Sequence, residues 1–263
     1  MPIQQLYLGA GAKKKTYVDD VFSNYLWKGN GTSGRTITNN IDVSGEGGLV
    51  WMKSRSTGNV PVLFDTERGA NQRLRSDSTL AQNNTDTLQP SFTSSGFTVG
   101  SGNEVNGSGN DYSSWTFRKA KGFFDVVTYT GDGTDGRTIS HSLGCIPGMI
   151  LFKRTDGQFG WYVYHRGIGE TEFLRLDTDD GQGSSGGLYN TAPTSSTITL
   201  GNNAYTNGDG NTYVAYIFAG GESAAAEARC VGFNGANSYL TLDDHDDFTI
   251  GTNWTAECYF KPL

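Results

Sequence analysis

Apolar and polar positions alternate along this chain in short runs that suit strands more than helices. Residues 16–27, TYVDDVFSNYLW, are the ambiguous case, because Val18, Val21, Phe22 and Tyr25 fit one helical face. Phe124-Asp125-Val126-Val127-Thr128-Tyr129, which leads into the same kind of glycine-rich segment, is β-branched and strand-like. The pattern therefore predicts a strand from about residue 21, after at most one helical turn. Residues 48–53 are apolar almost throughout, as in a strand buried on both faces. Phe97 to Val99 reads as a short strand, and Tyr112 to Arg118 as a half-buried one with Trp115 and Phe117 inward. Polar stretches at 54–60 and 78–95 read as loops, and 100–109 as a turn-rich loop.

Most of this pattern occurs twice. Residues 28–37 are KGNGTSGRTI and residues 130–139 are TGDGTDGRTI, an offset of 102 residues. The repeated positions are Gly29, Gly31, Gly34 and Arg35 in the first copy, and Gly131, Gly133, Gly136 and Arg137 in the second. The similarity continues on either side of the motif. Gly48 to Lys53 parallels Gly148 to Lys153, Arg68-Gly69 is set against Arg166-Gly167, and Leu74-Arg75 against Leu174-Arg175. Each copy closes alike, with Asn106-Gly107 and then Tyr112, Trp115 and Phe117, against Asn207-Gly208 and then Tyr213, Tyr216 and Phe218. A unit of roughly 100 residues has the size of a domain, well above solenoid periods. The expected fold is all-β: two tandem homologous β-sandwich-like domains at 21–118 and 123–219, after an N-terminal arm at 1–20. The stretch DTDDGQGSSGG, 177–187, reads as an exposed flexible loop of the second copy.

Composition agrees with many short strands joined by tight turns. The 263 residues include 37 glycines but only 6 prolines, and aromatics reach 12%, which disordered chains lack. Net charge is -7, which argues against nucleic acid or an anionic membrane surface as partner. Lys13-Lys14-Lys15 is the one basic run and reads as a solvated terminal segment. No apolar run approaches the roughly 20 residues of a membrane-spanning helix. In MPIQQLYLGAGAKKK the basic residues follow the apolar patch, so it does not read as a secretory signal, and synthesis in a cytoplasm is expected. Three cysteines, Cys145, Cys230 and Cys258, do not make a disulfide framework; Cys230 and Cys258 could pair only if two strands bring them together, and read rather as two separate buried thiols.

Motifs that could bear chemistry have plainer explanations. Both copies satisfy G-x-G-x-x-G, but the run that follows is β-prone, and a dinucleotide site needs a helix N-terminus there. Gly183 to Gly187 matches a nucleophile-elbow spacing only formally, inside a polar Gly/Ser tract. His141, His165 and His245 have no partner spacing, and the repeat sets Asn39 opposite His141. Aspartates at 132 and 135, at 177, 179 and 180, and at 243, 244, 246 and 247 match no calcium loop, and solvated turns are the default. No catalytic residue, metal ligand or cofactor is therefore expected. Arg35 and Arg137 are expected to share a structural role on loop carbonyls or a carboxylate. Trp51, Trp115 and Trp161 are expected in the core.

After a Gly-Gly and Ala/Glu linker at 220–228, the composition changes. Phe233-Asn234-Gly235, Tyr239-Leu240-Thr241-Leu242, Asp247-Phe248-Thr249-Ile250, Trp254-Thr255-Ala256-Glu257 and Tyr259-Phe260-Lys261-Pro262 resemble the opening strands of a laminin-G-like, concanavalin-type jelly roll. Residues 229–263 would hold only its first strands, an incomplete jelly-roll segment. Nearly the whole chain resembles tail-fibre-like virion structural proteins of marine cyanobacterial phages. The stretches that carry this likeness are MPIQQLYLGAGAKKKTYVDDVFSNYL, GGLVWMKSRS, FDTERGAN, SWTFRKAKGFFDVVTYTGDG and ISHSLGCIPGMILFKRTD. The resemblance implies a virion tail location, other virion tail proteins as partners, a homo-oligomer of trimeric type, and a host surface glycan as the distal ligand. It brings no catalytic residue with it. Within the arm, Ile3, Leu6, Tyr7 and Leu8 are the side chains expected to dock on a partner, since the arm is too short for a core of its own. A lectin-like or capsid-decorating adhesin is the alternative. A polysaccharide depolymerase is less favoured, because no paired carboxylates stand out.

Overall fold

A computed structural model describes residues 16–220 of the chain, apart from 85, 86, 89, 186 and 190. The docking residues Ile3, Leu6, Tyr7 and Leu8, the linker beyond residue 220 and the laminin-G-like segment lie outside the described residues. The described part is all-β with two one-turn helices, Val18–Val21 and Val43–Glu46. The first copy contributes β1 (Phe22–Lys28), β2 (Arg35–Thr38), β3 (Gly48–Ser54), β4 (Val62–Asp65), β5 (Gln72–Arg75), β6 (Asn83–Asn84), β7 (Ser91–Thr93), β8 (Gly96–Val99) and β9 (Asp111–Arg118). The second contributes β10 (Phe124–Thr130), β11 (Arg137–Ser140), β12 (Pro147–Arg154), β13 (Trp161–His165), β14 (Glu172–Arg175), β15 (Gly183–Ser184), β16 (Thr197–Leu200) and β17 (Thr212–Ala219).

Each copy builds one six-stranded antiparallel sheet, in the orders β1-β9-β3-β4-β5-β6 and β10-β17-β12-β13-β14-β15. The two orders correspond strand for strand, with the last strand of each copy, β9 or β17, second in its sheet. Register agrees too: Trp51 pairs with Trp115 between β3 and β9, and Leu151 with Tyr216 between β12 and β17. A small sheet covers one face of each large one, β2-β8-β7 in the first copy and β11-β16 in the second. Side chains alternate across a strand. Val50 and Met52 of β3 therefore meet Ile37, Phe97 and Val99 of their own small sheet, as Ile150 and Phe152 of β12 meet Ile139, Ile198 and Leu200.

The other faces of the two large sheets pack on each other. Leu49, Leu63 and Leu74 of the first copy share a buried cluster with Phe124, Val126, Leu151, Trp161 and Tyr216 of the second. The sequence reading treats the copies as two sandwiches joined by a short junction; in the structure they form one compact unit around this third core. Strands that are apolar on both faces need two covers, and one small sheet supplies only one of them. Fully burying each large apolar side chain contributes about 1.5–3 kcal/mol, so this seam is a main source of the fold's stability. The junction is packed as well: Gly122 N donates to Leu143 O at 2.7 Å, and Phe117 stacks on Phe123 with centroids 6.3 Å apart.

Several local expectations change. Asp65 faces Leu49 and His165 faces Met149, a constant offset of 100, and the left-handed glycines of the following turns are Gly69 and Gly169. Arg68 is therefore equivalent to Ile168, and Arg166 to Thr66, rather than Arg68 to Arg166. The polar stretch 78–95 contains β6 and β7, and the expected loop 177–187 contains β15, because edge backbone pairs with β5, β8 and β14 whatever the side chains. On β9 it is Ser114 and Thr116 that are fully buried, while Trp115 and Phe117 are half-buried. The first pair faces the copy's own small sheet, and the tryptophan sits where the second copy covers the sheet only in part.

Candidate functional site

The repeated glycine motif folds into a clasp between β1 and β2 that grips the loop before β9. Gly29 N donates to Asn110 O at 2.7 Å, Gly31 N to Asn106 O at 2.8 Å, and Gly109 N back to Gly29 O at 2.9 Å. The second copy repeats all three with Gly131, Gly133 and Gly210, at 2.7, 2.8 and 3.0 Å. Gly31 and Gly34, like Gly133 and Gly136, have positive φ. A Cβ at Gly29 or Gly131 would collide with the carbonyl oxygen of Gly107 or Gly208.

Buried asparagines complete the clasp. Asn106 donates to Asn30 Oδ1 and Thr32 O, both at 2.9 Å, and its own Oδ1 accepts from Arg35 Nη1 at 3.2 Å. Asn207 does the same with Thr134 O at 2.9 Å and Arg137 Nη1 at 3.2 Å. Arg35 also donates to the Lys28 carbonyl, and Arg137 to that of Thr130. Both arginines thus tie strand to loop. Arg137 lies 3.5 Å from Asp132, and hydrogen bonds from Thr134 are the first cause holding that exposed aspartate below the usual carboxylate range. Tyr112 and Tyr213 lock the far side, each accepting from a glycine N–H at 2.8 Å. The recurring Asn-Gly pair was the sequence signal for these asparagines.

A buried polar cluster lies across the seam. Asp65 binds Arg68 Nε at 2.6 Å, and Tyr216 of the second copy donates to Asp65 Oδ2 at 2.6 Å while accepting from Arg68 Nη2 at 3.1 Å. Burial lowers the pKa of Arg68, but Tyr216 and Asp65 outweigh it and the net direction is up. Burial pushes the Tyr216 hydroxyl well up, so it remains a donor. Lys153, fully buried on the seam face of β12, donates to Thr79 O of the first copy at 2.9 Å and to Phe159 O. Burial lowers its pKa to about 8, against an opposing contribution from Asp177. Sequence reasoning missed this cluster, because each member looks like an ordinary turn or strand residue.

Beside the cluster opens a cavity of about 360 Å³, lined by Arg68 and Gln82 of the first copy and by Thr128, Thr130, Thr155 and Thr212 of the second. Thr130 pairs with Thr212 across β10 and β17, and Thr155 Oγ1 lies 2.7 Å from Thr212 Oγ1. This row of hydroxyls can donate and accept hydrogen bonds. His141 and Asn39 play one structural part: each accepts from the backbone N–H two residues on, at 3.3 and 3.2 Å. Burial lowers the His141 pKa. Among the described residues, no group of three or more His, Cys, Asp or Glu could hold a metal ion, and no helix is long and apolar enough to cross a membrane.

The fold and these clasps define an all-β protein made of a duplicated, face-to-face sheet pair. Residues 18–239 match the family described as Domain of unknown function (DUF7483), and the chain belongs to that family. The match spans both copies. No curated protein and no solved structure matches the chain.

Proposed function

We propose that this chain is a structural component of a phage virion, a tail-fibre or spike protein held to the tail through its N-terminal arm and carrying host recognition towards its C-terminal side. The observation that supports this reading best is the seam. Two copies bury their remaining sheet faces against one another and clasp their loops with buried asparagines, which yields a stiff body suited to spacing an anchor from a receptor-binding part. The likeness of the chain's stretches to cyanophage tail-fibre-like proteins points the same way. In this reading the protein is made in the host cytoplasm, joins other tail proteins as a homo-oligomer of trimeric type, and performs no catalysis. Ile3, Leu6, Tyr7 and Leu8 are the anchoring side chains. The test is assembly of virions with a chain lacking residues 2–15. Loss of the protein from the particle is expected, and incorporation at normal copy number would refute the anchor.

A lectin-like role is the second reading. It is favoured by the seam cavity, whose threonine hydroxyls and Gln82 amide suit a polar, hydroxylated ligand. A glycan array with the isolated protein separates the two.

A further inference from the structure

The copies differ most informatively at β5 and β14. In the second copy this strand carries Phe173, whose ring packs on Tyr162 at 5.0 Å, and Arg175, neutralised by Asp177 at 3.3 Å. The first copy has Arg73 and Arg75 at the equivalent places, and the equivalent acid, Asp77, is exposed. The two guanidiniums line a cavity of about 280 Å³ together with Leu80, Gln82, Asn83 and, from the second copy, Gln158.

The lining of this cavity carries two arginines and no carboxylate, in a chain whose net charge is -7. Arg73 is only 8% exposed; its Nε donates to Asn83 Oδ1 at 3.2 Å and its Nη1 meets Glu104 at 3.1 Å. Burial, and then repulsion from Arg75, lower the pKa of Arg73. Arg75 makes no ion pair among the described residues, and its Nε is buried without a hydrogen-bond partner. A buried, unpaired N–H costs about 1–3 kcal/mol, and a guanidinium is shaped to accept a two-oxygen anion. Leu80, with two-fifths of its surface exposed, adds an apolar wall against which the C–H face of a sugar ring can lie. The Gln82 and Gln158 amides can bond hydroxyl groups.

We propose that this two-arginine cavity binds the carboxylate or sulfate group of an acidic saccharide. The proposal rests on the host-attachment reading, and it adds which glycans are bound and where. Binding is measured by calorimetry on the full chain with an oligogalacturonate, a sulfated oligosaccharide, a neutral oligosaccharide of equal length, and inorganic sulfate. An acidic oligosaccharide should bind, more weakly as salt rises, and Arg75→Gln should weaken it by about tenfold or more. Glu104→Gln should tighten it, because it removes the carboxylate that competes for Arg73. Unchanged affinity in Arg75→Gln, equal binding of the neutral sugar, or no binding of either acidic one overturns the site. Inorganic sulfate binding as tightly as the oligosaccharides overturns the saccharide assignment. Arg75→Gln leaves the arm intact, so the chain should enter virions normally whichever way the binding result falls.

Discussion

The Tyr216 hydroxyl is a sharp test of how the two copies are joined. Tyr216→Phe removes one oxygen and leaves the ring stacked on Trp161, with centroids 6.1 Å apart. What is lost is the 2.6 Å hydrogen bond to Asp65 and the 3.1 Å acceptor for Arg68. Asp65 keeps Arg68 but loses its second charge-assisted partner inside a fully buried site. Hydrogen bonds to charged groups contribute about 1.5–3 kcal/mol each, and a buried group left short of a partner adds to the loss. The expected cost is therefore about 2–4 kcal/mol. For a unit of about 200 residues that lowers Tm by roughly 4–16 °C, at about 2–4 °C per kcal/mol. Calorimetry and urea unfolding followed by tryptophan fluorescence read it directly. Arg68→Met closes a double-mutant cycle, and the coupling should fall between about 0.5 and 3 kcal/mol. A loss under about 0.5 kcal/mol, or additivity within error, would show that the cluster does not bind the copies together.

Three further outcomes follow from the same geometry. Trp161→Ala should cost about 3–5 kcal/mol, because the side chain is fully buried and its Nε1 satisfies the Arg75 carbonyl at 2.8 Å; Trp115→Ala, at a half-buried site, should cost clearly less, and chemical denaturation ranks them. Gly29→Ala forces its methyl into the Gly107 carbonyl and should destabilise strongly, whereas Gly34→Ala, with open space around it, should cost only the left-handed strain of about 1–2 kcal/mol, as thermal melts of the pair will tell. Lys153, held near a pKa of about 8, binds its proton less tightly folded than unfolded, so stability should rise as pH climbs from about 8 towards the ordinary lysine value; in Lys153→Met that rise should vanish, and its persistence would exclude Lys153 as the source.

Much of the fold was legible because duplication wrote it twice. The glycine motif, the apolar run of β3 and the closing aromatics repeat at nearly constant spacing, and the all-β character follows from them. The partner of the second sheet face was not legible. Leu49 and Val50 look alike in sequence, yet one faces the seam and the other the copy's own small sheet. A two-residue slip in aligning the turns hid the fact that Arg68 stands opposite Ile168. That asymmetry is the origin of the Asp65–Arg68–Tyr216 cluster, whose members are 151 residues apart at the extremes. Short edge strands such as β6 and β15 have polar sequences and left no pattern, since backbone pairing alone makes them.

The seam also frees the chain from a constraint that governs oligomers. Two identical subunits meeting through one sheet face must accept every substitution on both sides at once, and their union dissolves on dilution. Joined in one chain, the halves stay together at any concentration, and each surface position can change without its counterpart. Ile168 opposite Arg68, and Phe173 opposite Arg73, are changes of that kind. At those two places one half carries an apolar side chain and the other a charged one, a difference that two identical subunits could not hold.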